Sequence, residues 1–188
     1  MPIQVDAYIN AGVASGLLAR PGHLREVLEQ TGQLPLERVR WQPLDAPESS
    51  PTVDLAIPSD DVLIAVADED PAMPVHATWH AIRLEIGPYV VEGEMPTLPG
   101  FDPGRALTRP SGEFVLLRDV RLGRRNVDGE LLPIGQHALI NRYDVEQVQA
   151  DLMLGFFFPG AALAVDEAPV VVAAGAPVET PAPDTGTV

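Results

Sequence analysis

The chain places its apolar residues in short runs broken by glycine and proline, a pattern typical of strands joined by tight turns. Runs over 3–9 and 13–18 meet near a glycine, and runs over 78–86 and 89–95 meet at Gly87-Pro88, a strong turn signal. Each of these two pairs therefore predicts a hairpin. Further strands are predicted over 34–44, 53–57, 62–66, 113–122, 131–140 and 145–154.

Two short helices are predicted between these strands. In the first, three apolar residues share one face at positions i, i+3 and i+4, and Gly32 ends it; the three are Leu24, Val27 and Leu28. In the second, Asp102 can cap, Pro103 suits the first position and Pro110 ends the helix. The run 145–154 also fits helical spacing. Its counterpart 62–66 has strand length, so we predict both as strands.

The chain repeats part of its own pattern at offsets of 77 to 83 residues. Three stretches match in the same order, which favours an internal duplication over chance. The offsets grow along the chain, as loop insertions in the second copy would produce. The matches pair Val13, Gly16, Leu36, Val39, Arg40, Ile57, Asp61 and Val62 with Val90, Gly93, Leu117, Val120, Arg121, Ile140, Asp144 and Val145.

We therefore expect a mainly β (α+β) fold with two similar β-β-short α-β-β-β halves packed in tandem around a pseudo-two-fold axis. One copy of about 70 residues would bury too little surface alone. The expected divisions are a first repeat over 1–70, a linker over 71–76 and a second repeat with an apolar extension over 77–160. Residues 161–188 are rich in Ala, Pro and Val, carry no basic residue, and are expected to form a flexible acidic tail.

The second half resembles a family of small bacterial β-rich domains of unknown function. The resemblance rests on a glycine-centred hairpin, Ala106-Leu107 in a short helix, the strand from Glu113 to Val120, and the stretch from His137 to Val145. It covers 76–151 and, more loosely, 3–68, where Pro58-Ser59 replaces Asn141-Arg142. It implies two tandem divergent copies of that domain and carries no activity with it.

Composition excludes several classes of function. Among the 188 residues there is no lysine and no cysteine, which excludes disulfides, thiolate metal sites, Schiff-base lysines and the lysine of a phosphate-binding loop. The net charge of -15 argues against nucleic acid as a partner. No basic segment precedes an apolar run at the N-terminus, and no run reaches the roughly 20 residues of a spanning helix. We expect a cytoplasmic protein without a membrane span.

His76 and His80 are the candidate metal ligands, because residues four apart can share a face of a strand or helix. A zinc site needs a further ligand, and only His23 and His137 remain as histidines. The favoured interpretation is two strand histidines beside Trp79, so no metal, cofactor or catalytic residue is assigned.

Two charged groups are also interpreted structurally. Asp60-Asp61 lacks the ligand spacing and central glycine of a calcium loop, and the recurrence of Asp61 as Asp144 favours a turn. The basic cluster could grip a carboxylate or phosphate, but the favoured interpretation is that it offsets acidic neighbours across the sheet. Its members are Arg118, Arg121, Arg124 and Arg125.

The segment 151–159 has no counterpart in the first half. Three consecutive phenylalanines cannot all point to one side of a strand, so some of them cover a second surface. Either the segment closes a shared core, or it is an interface whose anchors are Leu154, Phe156, Phe157 and Phe158.

Two functions follow as hypotheses. The first is a non-enzymatic protein-interaction or assembly module that binds a protein partner or a second copy of itself. The alternative is a domain that binds a small molecule or a metal, with or without catalysis, at the seam between the two repeats. That site would use His76, His80 or the arginine cluster.

Overall fold

The computed structural model describes residues 2–46, 53–69, 71, 76–98, 112–127, 129–150 and 152–164. Over this part the chain is mainly β, which confirms the predicted fold class at that level. The elements are β1 (Gln4–Ile9), β2 (Gly12–Leu18), α1 (Leu24–Thr31), β3 (Gln33–Pro43), β4 (Val53–Pro58), a 3-10 turn (Ser59–Asp61), β5 (Ile64–Ala67), β6 (Thr78–Ile86), β7 (Tyr89–Thr97), β8 (Phe114–Arg124), β9 (Leu132–Asn141), β10 (Val145–Gln149), α2 (Leu152–Gly155) and β11 (Ala162–Ala164).

All of these strands belong to one sheet with the order β11-β10-β6-β7-β8-β9-β5-β1-β2-β3-β4. Neighbouring strands are antiparallel, except that β11 runs parallel to β10. The first five strands and the second five therefore form two contiguous blocks. The blocks meet where β5 pairs with β9.

Helix α1 has the predicted face and the predicted end. Leu24, Val27 and Leu28 are its buried residues, and Gly32 follows the helix with φ of 66°. That left-handed conformation is costly for residues with a Cβ, so glycine is the expected residue there. The helix packs beside the first block of strands and buries its apolar face in their core.

A β-bulge interrupts each block at an aligned position. The pairing of β2 with β3 shifts between Ser15 and Leu17, and the pairing of β7 with β8 shifts between Glu92 and Glu94. Arg38 on β3 and Asp119 on β8 both have φ of 53°, a left-handed conformation that is uncommon for residues other than glycine.

The buried apolar residues form two clusters that share the seam strands. Ile64 and Ile140 belong to the cluster of the second block, while their neighbours Ala65 and Leu139 belong to the cluster of the first block. Because successive side chains of a strand point to opposite faces, β5 and β9 are buried on both faces. The blocks therefore have separate cores joined through common strands.

The structure differs from the sequence expectation around α2. The prediction of one strand over 145–154 is wrong in its second half, because β10 ends at Gln149 and α2 follows. The turn brings Leu154 into the core. Ala162–Ala164, expected in the flexible tail, pair with β10 as β11. The predicted helix after Asp102, the tail from residue 165 and most of the linker lie outside the described residues.

Candidate functional site

A cleft opens at the seam between the two blocks, where β5 and β9 part. These strands pair through Ile64 with Ile140 and Ala65 with Leu139, although β9 begins seven positions earlier at Leu132. Beyond the last pair, a cavity of about 190 Å³ lies between the strands and the N-terminus of α1. A short pairing between twisted strands thus creates a space with walls from both blocks.

The cleft has an apolar floor and a polar rim. The floor includes Ala65 and Ala67 of β5, Leu116 of β8 and Leu139 of β9. Side chains that carry polar groups line the rim: His23, Arg25, Glu26, Glu69 and His137. An apolar site with a few convergent polar groups is the usual form of a small-molecule site.

Glu69 holds the N-terminus of α1 at the rim of the cleft. Its Oε1 accepts a hydrogen bond from the backbone N–H of Leu24 at 2.8 Å, and its Oε2 lies 3.2 Å from Nδ1 of His23. His23 occupies the N-cap position without making a side-chain cap. The carboxylate therefore supplies the acceptor that the helix lacks, at the end where the helix dipole favours negative charge.

Arg25 is held by contacts away from the cleft. One of its Nη atoms donates to the carbonyl oxygen of Phe114, and its Nε donates to Glu29 Oε1 at 3.2 Å. The contact with Phe114 ties α1 to the first residue of β8. One donor of this guanidinium thus ties the two blocks together, and another is used within α1.

His137 lies where the cleft widens. A second cavity, of about 480 Å³, shares Ala67, Glu69 and His137 with the first. Asp6 and Asp68 line this second cavity, so the combined opening has an acidic side. His137 is partly exposed, and its side chain makes no hydrogen bond to any residue that the structure describes.

The candidate metal ligands His76 and His80 lie elsewhere. His76 occupies a turn before β6, with φ of 64°, and His80 is on β6 with its Nε2 3.0 Å from Oγ1 of Thr97. Within the described ranges, no group of three or more His, Cys, Asp or Glu residues could hold a metal ion. The structure adds no further ligand to this histidine pair.

Two members of the arginine cluster, Arg118 and Arg125, pair with acidic neighbours, as the favoured interpretation expected. Arg118 Nε donates to Glu94 Oε2 at 2.7 Å, and its guanidinium carbon lies 4.0 Å from the ring centroid of Trp79. Arg125 pairs with Glu85 and Glu146. Arg124 instead donates to a backbone carbonyl oxygen of the other block, that of Leu44.

The four predicted interface residues separate into two groups. Leu154 and Phe158 are 1% and 2% exposed and belong to the core of the second block. Phe157 packs against that core and is partly buried. Phe156 is 45% exposed, and the side chain of Leu163 covers the preceding residue, Gly155. The segment therefore closes the core and leaves one aromatic ring at the surface.

Three aspartates lie close together at the seam. Burial raises the pKa of Asp144, and the negative charges of Asp60 and Asp61 raise it further. Asp60 and Asp61 belong to the 3-10 turn before β5, and Asp144 belongs to the turn before β10. Asp60 and Asp61 thus lie in a turn, as interpreted, although the turn has no side-chain cap, and it is a neighbour in space of the turn that holds Asp144.

A pair of tyrosines joins the two hairpin ends. The Tyr89 hydroxyl lies 3.0 Å from the carbonyl oxygen of Ile9, to which it donates, and the rings of Tyr8 and Tyr89 meet edge to face with centroids 5.6 Å apart. Burial raises the pKa of each tyrosine to about 12, and the charge of Asp6 contributes for Tyr8. Both phenols are therefore neutral at ordinary pH.

The sequence did not identify the cleft residues. Only one signal pointed to them: Pro21-Gly22-His23 begins α1 without a capping side chain, so an acceptor had to come from elsewhere. Which carboxylate supplies it depends on the β5–β9 pairing. Across the described residues, no helix is long and apolar enough to cross a membrane.

Comparison with protein-family models, with curated proteins and with solved structures finds no match to this chain. The geometry of the cleft and of the surface therefore carries the functional argument.

Proposed function

We propose that this chain is a non-enzymatic binding module, built from two divergent copies of one β-rich unit, that binds a small ligand in the cleft between them. The observation that carries the proposal is the composition of the cleft walls. Helix α1 and β5 of the first block face β8 and β9 of the second block across it. A single copy would lack one wall, so the duplication would create the site.

The aligned bulges support the duplication. Gly16 and Gly93 are 77 positions apart and stand opposite the bulges of β3 and β8. A Cβ on Gly16 would lie 2.9 Å from the carbonyl oxygen of Glu37, and a Cβ on Gly93 would lie 2.9 Å from that of Arg118. Glycine is thus required by the same contact in both blocks.

The strand order supports the same relationship. Each block places its fifth strand beside its first, followed by the second, third and fourth. One backbone hydrogen bond also recurs: Ser59 N donates to Gly32 O, and Arg142 N donates to Glu113 O. On this basis the chain would consist of two tandem members of the small bacterial β-rich family that it resembles, related by a pseudo-two-fold axis.

The charges around the cleft favour a particular ligand chemistry. Glu26 and Glu69 line the first cavity, and Asp6 and Asp68 line the second, whereas the one arginine is held by Phe114 and Glu29. Taken together, the two cavities fall within the roughly 300–1,000 Å³ of ligand sites. The expected ligand has an apolar body for the alanine and leucine floor and a positively charged or hydrogen-bond-donating group for the acidic side.

Thermal denaturation with three probes of equal length tests this proposal: hexylamine, hexanol and hexanoate. A ligand present at 100 times its dissociation constant stabilises the folded state by about 2.7 kcal/mol, which is roughly 5–10 °C for a chain of this size. Hexylamine should stabilise most and hexanoate least.

A pair of variants locates the binding site. Ala67→Phe fills the cleft and should abolish the stabilisation by hexylamine, while the matched change Ala81→Phe, on an exposed position of β6, should retain it. Equal shifts in both variants, or no shift with any probe, would contradict the cleft as the site.

A second candidate function uses the surface beside α2. Phe156 is 45% exposed and Leu163, on β11, is 40% exposed, and the Leu163 side chain lies against Gly155, the residue before Phe156. Exposed aromatic residues are typical anchors of protein interfaces. A partner protein retained by the wild type should be lost with Phe156→Ser and with Leu163→Ser. It should be kept by Leu132→Ser, which changes a more exposed leucine on β9. Retention by all three variants would reject this surface.

A further inference from the structure

Among the residues that the structure describes, no strand pairs with the outer edge of β4, which ends the sheet and carries apolar side chains. The other end is formed by β11, which has three residues, whereas β4 has six. Val53 and Leu55 of β4 are 54% and 38% exposed. Edge strands of soluble proteins are normally short, charged or covered, because their free backbone groups pair with other chains. Of the two edge strands, β4 is therefore the better candidate for pairing with another chain.

The backbone alternation of β3 defines which groups of β4 are free. The Pro35 carbonyl oxygen accepts a hydrogen bond from Ala19 N, so the backbone groups of Pro35 point away from β4. The backbone groups of its neighbours Leu34 and Leu36 therefore point toward β4. These two pair with Ile57 and Leu55. The backbone groups of Ile57 and Leu55 are thus engaged with β3. Those of Asp54 and Ala56, between and beside them, point out from the sheet.

The corresponding edge in the second block is covered. At the offset of 83 residues, Ala56 aligns with Leu139 of β9, and Leu139 pairs with Ala65 of β5. Asn141 N also donates to Leu63 O across that seam. The aligned position on β4 is Pro58, which has no N–H to donate. The outward-pointing backbone groups of β4 therefore lie at positions that align with the groups of β9 that pair with β5. β4 has fewer N–H donors at these positions, because proline replaces asparagine at one of them.

We propose that β4 pairs antiparallel with β4 of a second copy of this chain, around a two-fold axis at Leu55. In this register Asp54 of each copy lies opposite Ala56 of the other, so the two aspartates are not opposite each other. The pair would exchange about four backbone hydrogen bonds. Leu55 meets Leu55, and Val53 meets Ile57, on one face of the joined sheet.

A second copy fits this edge because one strand supplies both sides of the contact. Isologous two-fold pairing is the commonest form of homo-oligomer, and strand addition to an exposed edge is a common mode of recognition. Each half of the contact is about five residues long, and each chain carries a net charge of -15. The dimer is therefore weak, and raising the salt concentration strengthens it by screening the repulsion. This dimer does not depend on ligand binding in the cleft.

Disulfide trapping tests the register, since the full chain has no cysteine of its own. Leu55 faces its own symmetry mate in a non-hydrogen-bonded pair, with Cα atoms about 4.5 Å apart, which suits a disulfide. Leu55→Cys should form a covalent dimer under mild oxidation at least tenfold faster than Leu132→Cys. Leu132 is 65% exposed, so random collision would favour the control. Equal rates for the two variants would overturn the proposal.

A second pair of variants tests the hydrogen bonds. Adding Ala56→Pro to Leu55→Cys removes an outward N–H and should slow trapping to the control rate, with circular dichroism checking that the variant is folded. Should the proline variant unfold, Leu55→Lys serves instead, and it should abolish the concentration-dependent dimer seen by analytical ultracentrifugation. A protein that sediments as a monomer at all concentrations and salt levels would overturn the proposal. So would a dimer that survives Leu55→Lys but is lost with Phe156→Ser.

Discussion

Glu69 accepts a hydrogen bond from the backbone N–H of Leu24, 45 residues earlier in the chain, at 2.8 Å. The segment that follows the last strand of the first block therefore caps α1, which lies early in the same block. Glu69→Ala should lower the free energy of unfolding by about 1 kcal/mol, because it leaves a helix N–H without its acceptor. Urea unfolding followed by circular dichroism measures the change.

The conservative variant separates the hydrogen bond from the charge. Glu69→Gln keeps an acceptor oxygen but loses the interaction of the carboxylate with the helix dipole, which is typically worth about 0.3–1 kcal/mol. It should therefore fall between the wild type and the alanine variant. A Glu69→Ala protein as stable as the wild type would show that water replaces the cap without cost.

Gly16→Ala and Gly93→Ala should destabilise the protein by about 1–3 kcal/mol each, because a new Cβ meets a backbone carbonyl oxygen in both bulges. Thermal or urea unfolding measures the loss. Gly129→Ala is the matched control. Nothing lies within 4 Å of a Cβ built there, and its effect should stay within about 0.5 kcal/mol. A change at one bulge but not the other would argue against their structural equivalence.

Tyr89→Phe should weaken the contact between the two hairpin ends. The hydroxyl that donates to Ile9 O is lost, which leaves a carbonyl oxygen without that donor and should lower the free energy of unfolding by about 1 kcal/mol. Differential scanning calorimetry at neutral pH gives this difference. An unchanged melting temperature would show that the hydroxyl contributes nothing to the seam.

The same variant should change the alkaline stability profile. Burial raises the pKa of Tyr8 and Tyr89 from 10.0 to about 12. Below pH 10 both phenols are neutral in the folded and unfolded states, and their contribution to stability is fully present. Between pH 10 and 12 the unfolded chain releases protons that the folded chain keeps, so stability falls. Tyr89→Phe should make this fall shallower, and the exposed control Tyr143→Phe should leave it unchanged.

Local patterns predicted the elements whose determinants are close in sequence. Helix α1 was predicted because its apolar spacing and Gly32 lie within one short stretch, and the hairpin at Gly87 followed from a single turn signal. The strand predicted over 145–154 was wrong beyond Gln149 because packing of Leu154 into the core decides that turn. Spacing alone fits both structures there.

A site at the seam was one of the two hypotheses, but the residues of the cleft could not be predicted because they are brought together by tertiary structure. His23, Glu69 and His137 come from three separate stretches, and their proximity depends on two residue pairs between β5 and β9. Strand pairing of that kind is determined by twist and by burial on both faces rather than by local sequence. The sequence left two interpretations of the segment 151–159, core closure and interface, for a related reason. Only the packed structure shows that Phe158 is buried and Phe156 is exposed.

Asp144→Asn should stabilise the protein at neutral pH. Burial and the charges of Asp60 and Asp61 raise the pKa of Asp144, so the folded state holds its proton more tightly than the unfolded state does. This group's favourable contribution is present below the ordinary aspartate pKa and is lost as the pH rises through the raised value, which leaves a cost at neutral pH. Asparagine removes that cost, and the advantage should shrink as the pH falls into the acid range. Thermal unfolding against pH measures it, with Asp54→Asn as a control on β4.

The double variant of Asp144→Asn with Asp61→Asn should gain less stability than the two single changes added together, because each relieves the same repulsion. Full additivity, or a gain that persists at acid pH, would show that the three aspartates do not interact in the folded protein.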